Sequence, residues 1–186
     1  MTGQRQTPDS PRKHSHKNTT SASSKSPEAS DDREIQTVEF SAAGIRRGFV
    51  EGTPVAVGVG GYGIVFGVLA KQAGLSVAEA ALMSATVLAG AAQLIAIELW
   101  APSIPVVAIV GTVFVVNLRY LLMGAALRPW FRQLSALQRY GSVFFVADEN
   151  WALTMGELKS GSRYGAYLLG SGLAIWVFWL VATVLG

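Results

Sequence analysis

Four polar residues in the apolar half of this chain have types that can do chemistry away from bulk water: Asn117, Arg119, Asp148 and Glu149. An arginine stays ionised in any protein environment and presents five donors, so it holds a carboxylate well. An embedded carboxylate can pair with that arginine, hold an ammonium or exchange a proton along a pathway. An arginine near the centre of a membrane helix costs at least ~2.5–3.5 kcal/mol on insertion scales, so it faces a partner or a wet cavity. Arg119 sits in an apolar run about 10–15 Å, at the helical rise, from the nearer end. Its counter-ion is Asp148, Glu149 or the carboxylate of a ligand. Asp148 and Glu149 are adjacent, and on a continuous helix they point about 100° apart, so one can meet Arg119 while the other faces water or a proton path. If residues 140–155 were instead a loop between helices, both acids would sit in water. The flanking 143–146 and 151–153, which are apolar and aromatic, argue for an embedded segment.

Further polar groups are available to the same site. Ser84 and Gln93 are the central polar residues of another apolar run, and Gln93 offers two donors and an acceptor carbonyl. A helix–helix hydrogen bond accounts for Gln93 as well as a ligand contact does. Gly44, Gly48, Gly52, Ala56 and Gly60 recur at every fourth residue, followed by Gly63 and Gly67. Small residues at that spacing let helices approach closely in lipid. The competing expectation is that 58–63 unwinds and offers backbone groups to a substrate, which makes Gly60 and Gly63 candidate site residues. The same stretch matches G-x-G-x-x-G, but a dinucleotide fold needs a preceding strand and a soluble βαβ setting, and neither is present.

The elements that must position these residues are read from hydropathy. The chain has 186 residues, 51% of them hydrophobic, with a formal net charge of +3. Residues 1–50 carry eight of the fifteen Lys/Arg and six of the twelve Asp/Glu, so the remaining 136 residues hold only seven and six. A water-soluble domain of that size needs more charge on its surface. Both histidines, His14 and His16, lie in the tail with many of the basic residues, so the positive balance does not describe a nucleic-acid surface. There is no cysteine, and the apolar region has no histidine, which removes thiolate chemistry, H-E-x-x-H and the usual metal-ligand sets. G-x-S-x-G is missing as well. No catalytic residues and no cofactor or metal are expected.

Residues 1–36 form a polar tail too poor in apolar side chains to offset chain entropy, and are expected to be disordered. In 37–50, Val38, Ala42, Ile45 and Phe49 fall at helical spacing beside Arg46 and Arg47, as in an amphipathic interfacial segment or a helical extension of the first span. Residues 51–186 form an all-α membrane domain with five apolar segments, near 52–70, 78–100, 103–127, 140–155 and 164–186. Backbone groups in lipid must be satisfied internally, and long non-alternating runs favour helices. The second, third and fifth segments are long enough to span, the first is marginal and the fourth is short. Trp100, Trp130 and Tyr164 fall near segment ends, as interfacial aromatics do. The basic tail places the N-terminus in the cytoplasm, yet simple alternation would then put Arg128, Arg132 and Arg139 outside. Some segments are therefore expected to be broken or re-entrant, the fourth foremost.

These residues carry a resemblance. The runs 63–70 (Gly-Ile-Val-Phe-Gly-Val-Leu-Ala), 82–84 with 89–93 (Leu-Met-Ser, Ala-Gly-Ala-Ala-Gln), 117–124 (Asn-Leu-Arg-Tyr-Leu-Leu-Met-Gly) and 147–152 (Ala-Asp-Glu-Asn-Trp-Ala) resemble, in order, four motifs of the AzlC family of branched-chain amino-acid exporters. The resemblance covers about residues 44–183. It implies a multi-pass permease of the cell (inner, cytoplasmic) membrane that exports branched-chain amino acids, driven by the proton gradient, with a small AzlD-type membrane protein as partner. Under that reading Arg119, Asn117, Gln93, Ser84, Gly60 and Gly63 bind substrate, while Asp148 and Glu149 couple to the proton. Ala147 stands where the family often has Thr, and Tyr120 where His is common. Family members usually continue with further apolar segments beyond the last one here. The alternative is a non-transporting assembly subunit whose intramembrane charges pair only with one another. An intramembrane enzyme is the weakest of the three readings.

Overall fold

Small residues at every fourth position shape the longest element. The computed structural model describes residues 39–100, 103–162 and 164–186; the polar tail expected over 1–36 lies outside the described residues. Helix α1 (Ala42–Gln72) starts at Ser41, whose hydroxyl accepts from the Gly44 N–H at 3.3 Å, and runs unbroken through Pro54. Gly74, at φ +90°, follows its end. Gly44, Gly48, Gly52, Ala56, Gly60, Gly63 and Gly67 are all buried along one face. That face packs along α8 (Tyr167–Leu185), whose own buried face includes Gly170, Ser171, Ala174 and Ala182. The approach is backbone against side chain: a Cβ on Gly48 would overlap the Tyr167 carbonyl, and one on Gly170 would overlap that of Ile45. The packing role of the stripe is thus realised, and 58–63 does not unwind.

Between these two helices in sequence lie two interrupted segments and one that is locally tightened. The second apolar segment is not one helix. It divides into α2 (Val77–Thr86) and α3 (Gly90–Glu98), separated by residues 87–89. The third bends at Leu118 between α4 (Val106–Asn117) and α5 (Arg119–Phe131), where i→i+3 bonds from Leu118 to Val115 and from Leu121 to Leu118 tighten the chain. The fourth divides into α6 (Ala136–Phe144) and α7 (Asp148–Lys159) around residues 145–147. The expected irregularity of the fourth segment is therefore present, and the second shares it. Among the described residues there is no strand, only an isolated bridge from Glu39 to Tyr164.

Three spans are long and apolar enough to cross a membrane: α1, α4 with α5, and α8. Helix α4 buries none of its residues, and Val107 and Leu122 are 88% and 76% exposed. Such an outer surface suits hydrocarbon rather than water. Trp130, expected at an interface, is instead buried with Leu127, Phe131, Leu134 and Leu168. Arg47 reaches across from α1 to Glu157 of α7 at 3.4 Å, pairs with Glu51 at 2.8 Å, and lies 5.1 Å above the Tyr164 ring.

The α1–α8 seam makes a directional prediction. Gly170→Ala forces the two backbones apart and lowers the unfolding temperature of the detergent-solubilised protein by several degrees. Gly58→Ala, whose Cβ would meet nothing within 4 Å, leaves it unchanged or slightly raised, since a glycine in a helix interior costs about 0.5–1 kcal/mol relative to alanine. Equal behaviour of the two variants in a thermal-shift assay would contradict a seam set by close backbone approach.

Candidate functional site

Each of the two breaks gives up backbone hydrogen bonds, and a buried amide side chain replaces some of them in each case. Gln93, fully buried on α3, donates through Nε2 to the carbonyls of Met83, at 3.3 Å, and Val87. Asn150, equally buried on α7, donates through Nδ2 to the Phe145 and Leu168 carbonyls at 2.7 and 3.2 Å, and its Oδ1 accepts from the Ala147 N–H at 2.7 Å. Leaving such groups unpaired would cost about 1–3 kcal/mol each.

The breaks open onto a cavity of about 390 Å³. One side is charged. Arg119, at the start of α5, pairs with Asp148 at 2.6 Å, and Glu149 follows it on the same wall. The bend at Leu118 and the break at 145–147 place the two partners there: Arg119 is the first residue of α5 and Asp148 the first of α7. A helix N-terminus favours negative charge, so both acids also complement the α7 dipole. The pair is not sealed in. Its side chains retain 34% and 40% of their accessible surface, so a ligand in the cavity can reach them. Contact runs through one nitrogen and one oxygen, while Arg119 Nε and Asp148 Oδ1 are buried without a hydrogen-bond partner among the described residues.

The rest of the lining is mostly aromatic and apolar. Trp176 and Trp179 of α8 stand there with Val59 and Tyr62 of α1, Leu94 of α3 and Ile175. Each indole is fixed through its N–H: Trp176 donates to the Ala85 carbonyl at 3.1 Å and Trp179 to Gln93 Oε1 at 3.0 Å. A Cβ on Gly90 would come within 2.8 Å of the Trp179 ring. Phe145, in the second break, meets Trp176 edge-on with centroids 6.0 Å apart. Sequence reasoning does not single out these tryptophans. The available signal is a pair of indoles three residues apart on a helix with no other polar group in its centre, because a buried indole N–H needs a partner.

The residues expected at the site are thus partly gathered. Arg119, Asp148, Glu149 and Ser84 line the cavity. The Ser84 hydroxyl lies 2.9 Å from that of Thr183, which itself donates to the Trp179 carbonyl, so Ser84 is the donor of the pair. Gln93 stands behind the wall and acts on it through Trp179. Asn117 lines a neighbouring cavity of about 260 Å³. Gly60 and Gly63 face α8, where a Cβ on Gly63 would lie 2.9 Å from that of Ala182, and neither lines the cavity.

Gln93→Leu and Asn150→Leu keep the approximate volume and remove the side-chain donors to the break carbonyls of Val87 and Phe145. Each is expected to destabilise the folded protein by about 1–3 kcal/mol, read as a lowered unfolding midpoint in detergent. Gln93→Leu should also broaden and shift the tryptophan fluorescence, because Trp179 loses its acceptor. A native midpoint in both variants would show that the amides do not hold the breaks.

No solved structure matches the chain. An uncharacterized membrane protein of Archaeoglobus fulgidus is 30% identical over 145 residues, which are 78% of this chain and 62% of that protein, so the chain spans less than two thirds of that relative's length. Residues 54–186, which contain both breaks, the Arg119–Asp148 pair and the tryptophan wall, match the family described as AzlC protein. This membrane protein belongs to the AzlC family.

Proposed function

We propose that this chain is the membrane subunit of a secondary transporter that exports branched-chain amino acids. The observation that carries the reading is the composition of the larger cavity. Its lining combines a cation and two carboxylates with indoles and aliphatic side chains. A zwitterion with a hydrocarbon side chain matches both kinds of group at once. Its carboxylate would take Arg119, its ammonium would take Glu149 or Asp148, and its side chain would lie against Trp176, Trp179 and Ile175. The N-terminal end of α3 supports the carboxylate end further. Gly90 and Ala91 line the cavity, and the first turn of α3 has no acidic residue and no side-chain cap.

Proton coupling follows from competition for one carboxylate. With Asp148 ionised, the substrate ammonium can take it while the substrate carboxylate takes Arg119. Protonation of Asp148 removes the partner of the ammonium and favours release. Substrate and proton thereby exclude one another at Asp148, as export against an inward proton gradient requires. The cell membrane as location, a cytoplasmic N-terminus and an AzlD-type membrane partner belong to this reading through the family. The exposed apolar surface of α4 is compatible with lipid or such a partner.

A second reading draws on the same ion pair. In a non-transporting assembly subunit the Arg119–Asp148 contact would be structural only. The two readings separate experimentally. In vesicles containing this chain and its partner, a pH gradient should drive leucine or valine efflux. Arg119→Ala should weaken substrate binding by about 10–100-fold, the equivalent of a charge-assisted hydrogen bond of ~1.5–3 kcal/mol. Asp148→Asn should retain exchange of labelled for unlabelled leucine but lose accumulation against a gradient. Unchanged efflux in both variants, with the protein correctly folded, would favour the structural reading.

A further inference from the structure

The cavity with the ion pair has a neighbour, and the two share a wall. The smaller cavity, about 260 Å³, is bounded by Val87, Leu88 and Ala89 of the first break, Phe144 and Val146 at the second, and Asn117, Gly124 and Leu127 on the bent third segment. Leu88 and Tyr120 line both cavities. Among the described residues, no ionisable group other than Tyr120 lines the smaller one. Its polar feature is Asn117, whose Oδ1 is buried without a hydrogen-bond partner among those residues. A buried acceptor of this kind usually has a donor. The Arg119 guanidinium, which pairs with Asp148 in the larger cavity, lies 5.2 Å from the centroid of the Tyr120 ring. The same arginine, the proposed anchor of the substrate carboxylate, therefore also touches the partition.

We infer that the smaller cavity is a second holding site for the transported amino acid, and that Tyr120 and Leu88 form the gate between the two sites. This rests on the transport reading above. The occupant is the same small zwitterion, because the two cavities are contiguous through shared residues. Asn117 Oδ1 would accept from its ammonium, and Leu127, Phe144 and Val146 would cover its hydrocarbon. The gate is linked to the charge site by the Arg119–Tyr120 contact. When Arg119 turns from Asp148 to a substrate carboxylate, the cation moves relative to the Tyr120 ring, and the partition is released. The regular α-helical hydrogen bonding lapses on both sides of the gate, at Leu118 and at 87–89.

The chain contains no cysteine, so a single introduced thiol is a unique reporter. Gly124→Cys places one in the smaller cavity, where a Cβ meets nothing within 4 Å. Ala91→Cys places one in the larger. In vesicles containing the full chain and its partner, leucine should slow maleimide labelling severalfold at both positions. Leu88→Trp, or the milder Leu88→Phe, should close the partition. Leucine then still protects Ala91→Cys, no longer protects Gly124→Cys, and efflux is lost. Tyr120→Ala should do the reverse and raise downhill leucine leak severalfold. Protection at Ala91→Cys but never at Gly124→Cys in the otherwise native chain would overturn the second site and leave the transport reading standing. Normal efflux and protection in both Leu88 variants would overturn the gate. Protection at neither position, with no efflux, would overturn the transport reading and this inference together.

Discussion

A helix interrupted inside an apolar shell leaves carbonyls and N–H groups that water cannot reach, and everything distinctive in this fold depends on how two such interruptions are made tolerable. Gln93 and Asn150 do so by donating to the break carbonyls of Val87 and Phe145. Irregular backbone at membrane depth survives only where protein or a wet cavity satisfies it. Here both conditions hold at once. Each break is held from behind by an amide and opens in front onto the cavity. Without the amides the breaks would carry unpaired buried backbone groups, and a straight helix would be the favoured alternative. Asp148 and Glu149 would then leave the N-terminus of α7, and the site would lose its acidic wall.

The α1–α8 seam serves a different end, since it fixes a reference against which the broken helices are set. Glycines at Gly48, Gly52, Gly63 and Gly67 bring α8 close to α1, and α8 carries Trp176 and Trp179 to hydrogen-bond partners in α2 and α3. Gln93 belongs to both systems. Its Nε2 repairs the first break and its Oε1 holds the Trp179 indole. The shape of the apolar wall is therefore coupled to the integrity of the break. Ser84, Thr183 and the Trp179 carbonyl add a second chain of hydrogen bonds between the same two regions. At the far end of α7, Arg47 pairs with Glu157, but these groups are partly exposed and such a pair contributes only about 0–1 kcal/mol. Helix α7 is thus tied firmly near Asn150 and loosely near Glu157.

Much of this is legible in the sequence for reasons that can be named. The helical membrane class follows from long apolar runs, and the seam follows from small residues every fourth position. The pairing of Arg119 with an acid follows from the cost of an unpaired charge in an apolar run, and the structure selects Asp148 from the alternatives. The breaks are less legible. Neither contains proline or a glycine in the left-handed region, and the amides that sustain them lie several residues downstream. Hydropathy reads 78–100 as one span because Thr86 to Ala89 is as apolar as a spanning helix. The irregularity of 140–155 is visible only because its polar residues shorten the run. Gly60 and Gly63 illustrate the converse error. Glycine at helical spacing serves close packing and backbone exposure equally well in sequence, and only the position of α8 decides between them.

The two interrupted segments are built alike, and their one difference carries the functional argument. Each begins with a serine N-cap in a capping box, Ser76 with Glu79 and Ser135 with Gln138. Each runs nine or ten residues, leaves the helix for three, and resumes after an alanine, Ala89 or Ala147. Each then buries an amide within its next turn, Gln93 or Asn150. Both second halves present an N-terminus to the same cavity, so both present partial positive charge there. In α7 the first two residues are Asp148 and Glu149, which reverse the sign of that end. In α3 they are Gly90 and Ala91, which leave it positive. One architecture used twice thus brings an acidic helix N-terminus and an uncharged one to the same cavity, with Arg119 paired to the acidic one. Under the proposed function, a zwitterion would find partners for both of its charges there, and protonation of the acid that holds Arg119 would tip the balance between the empty and the loaded state.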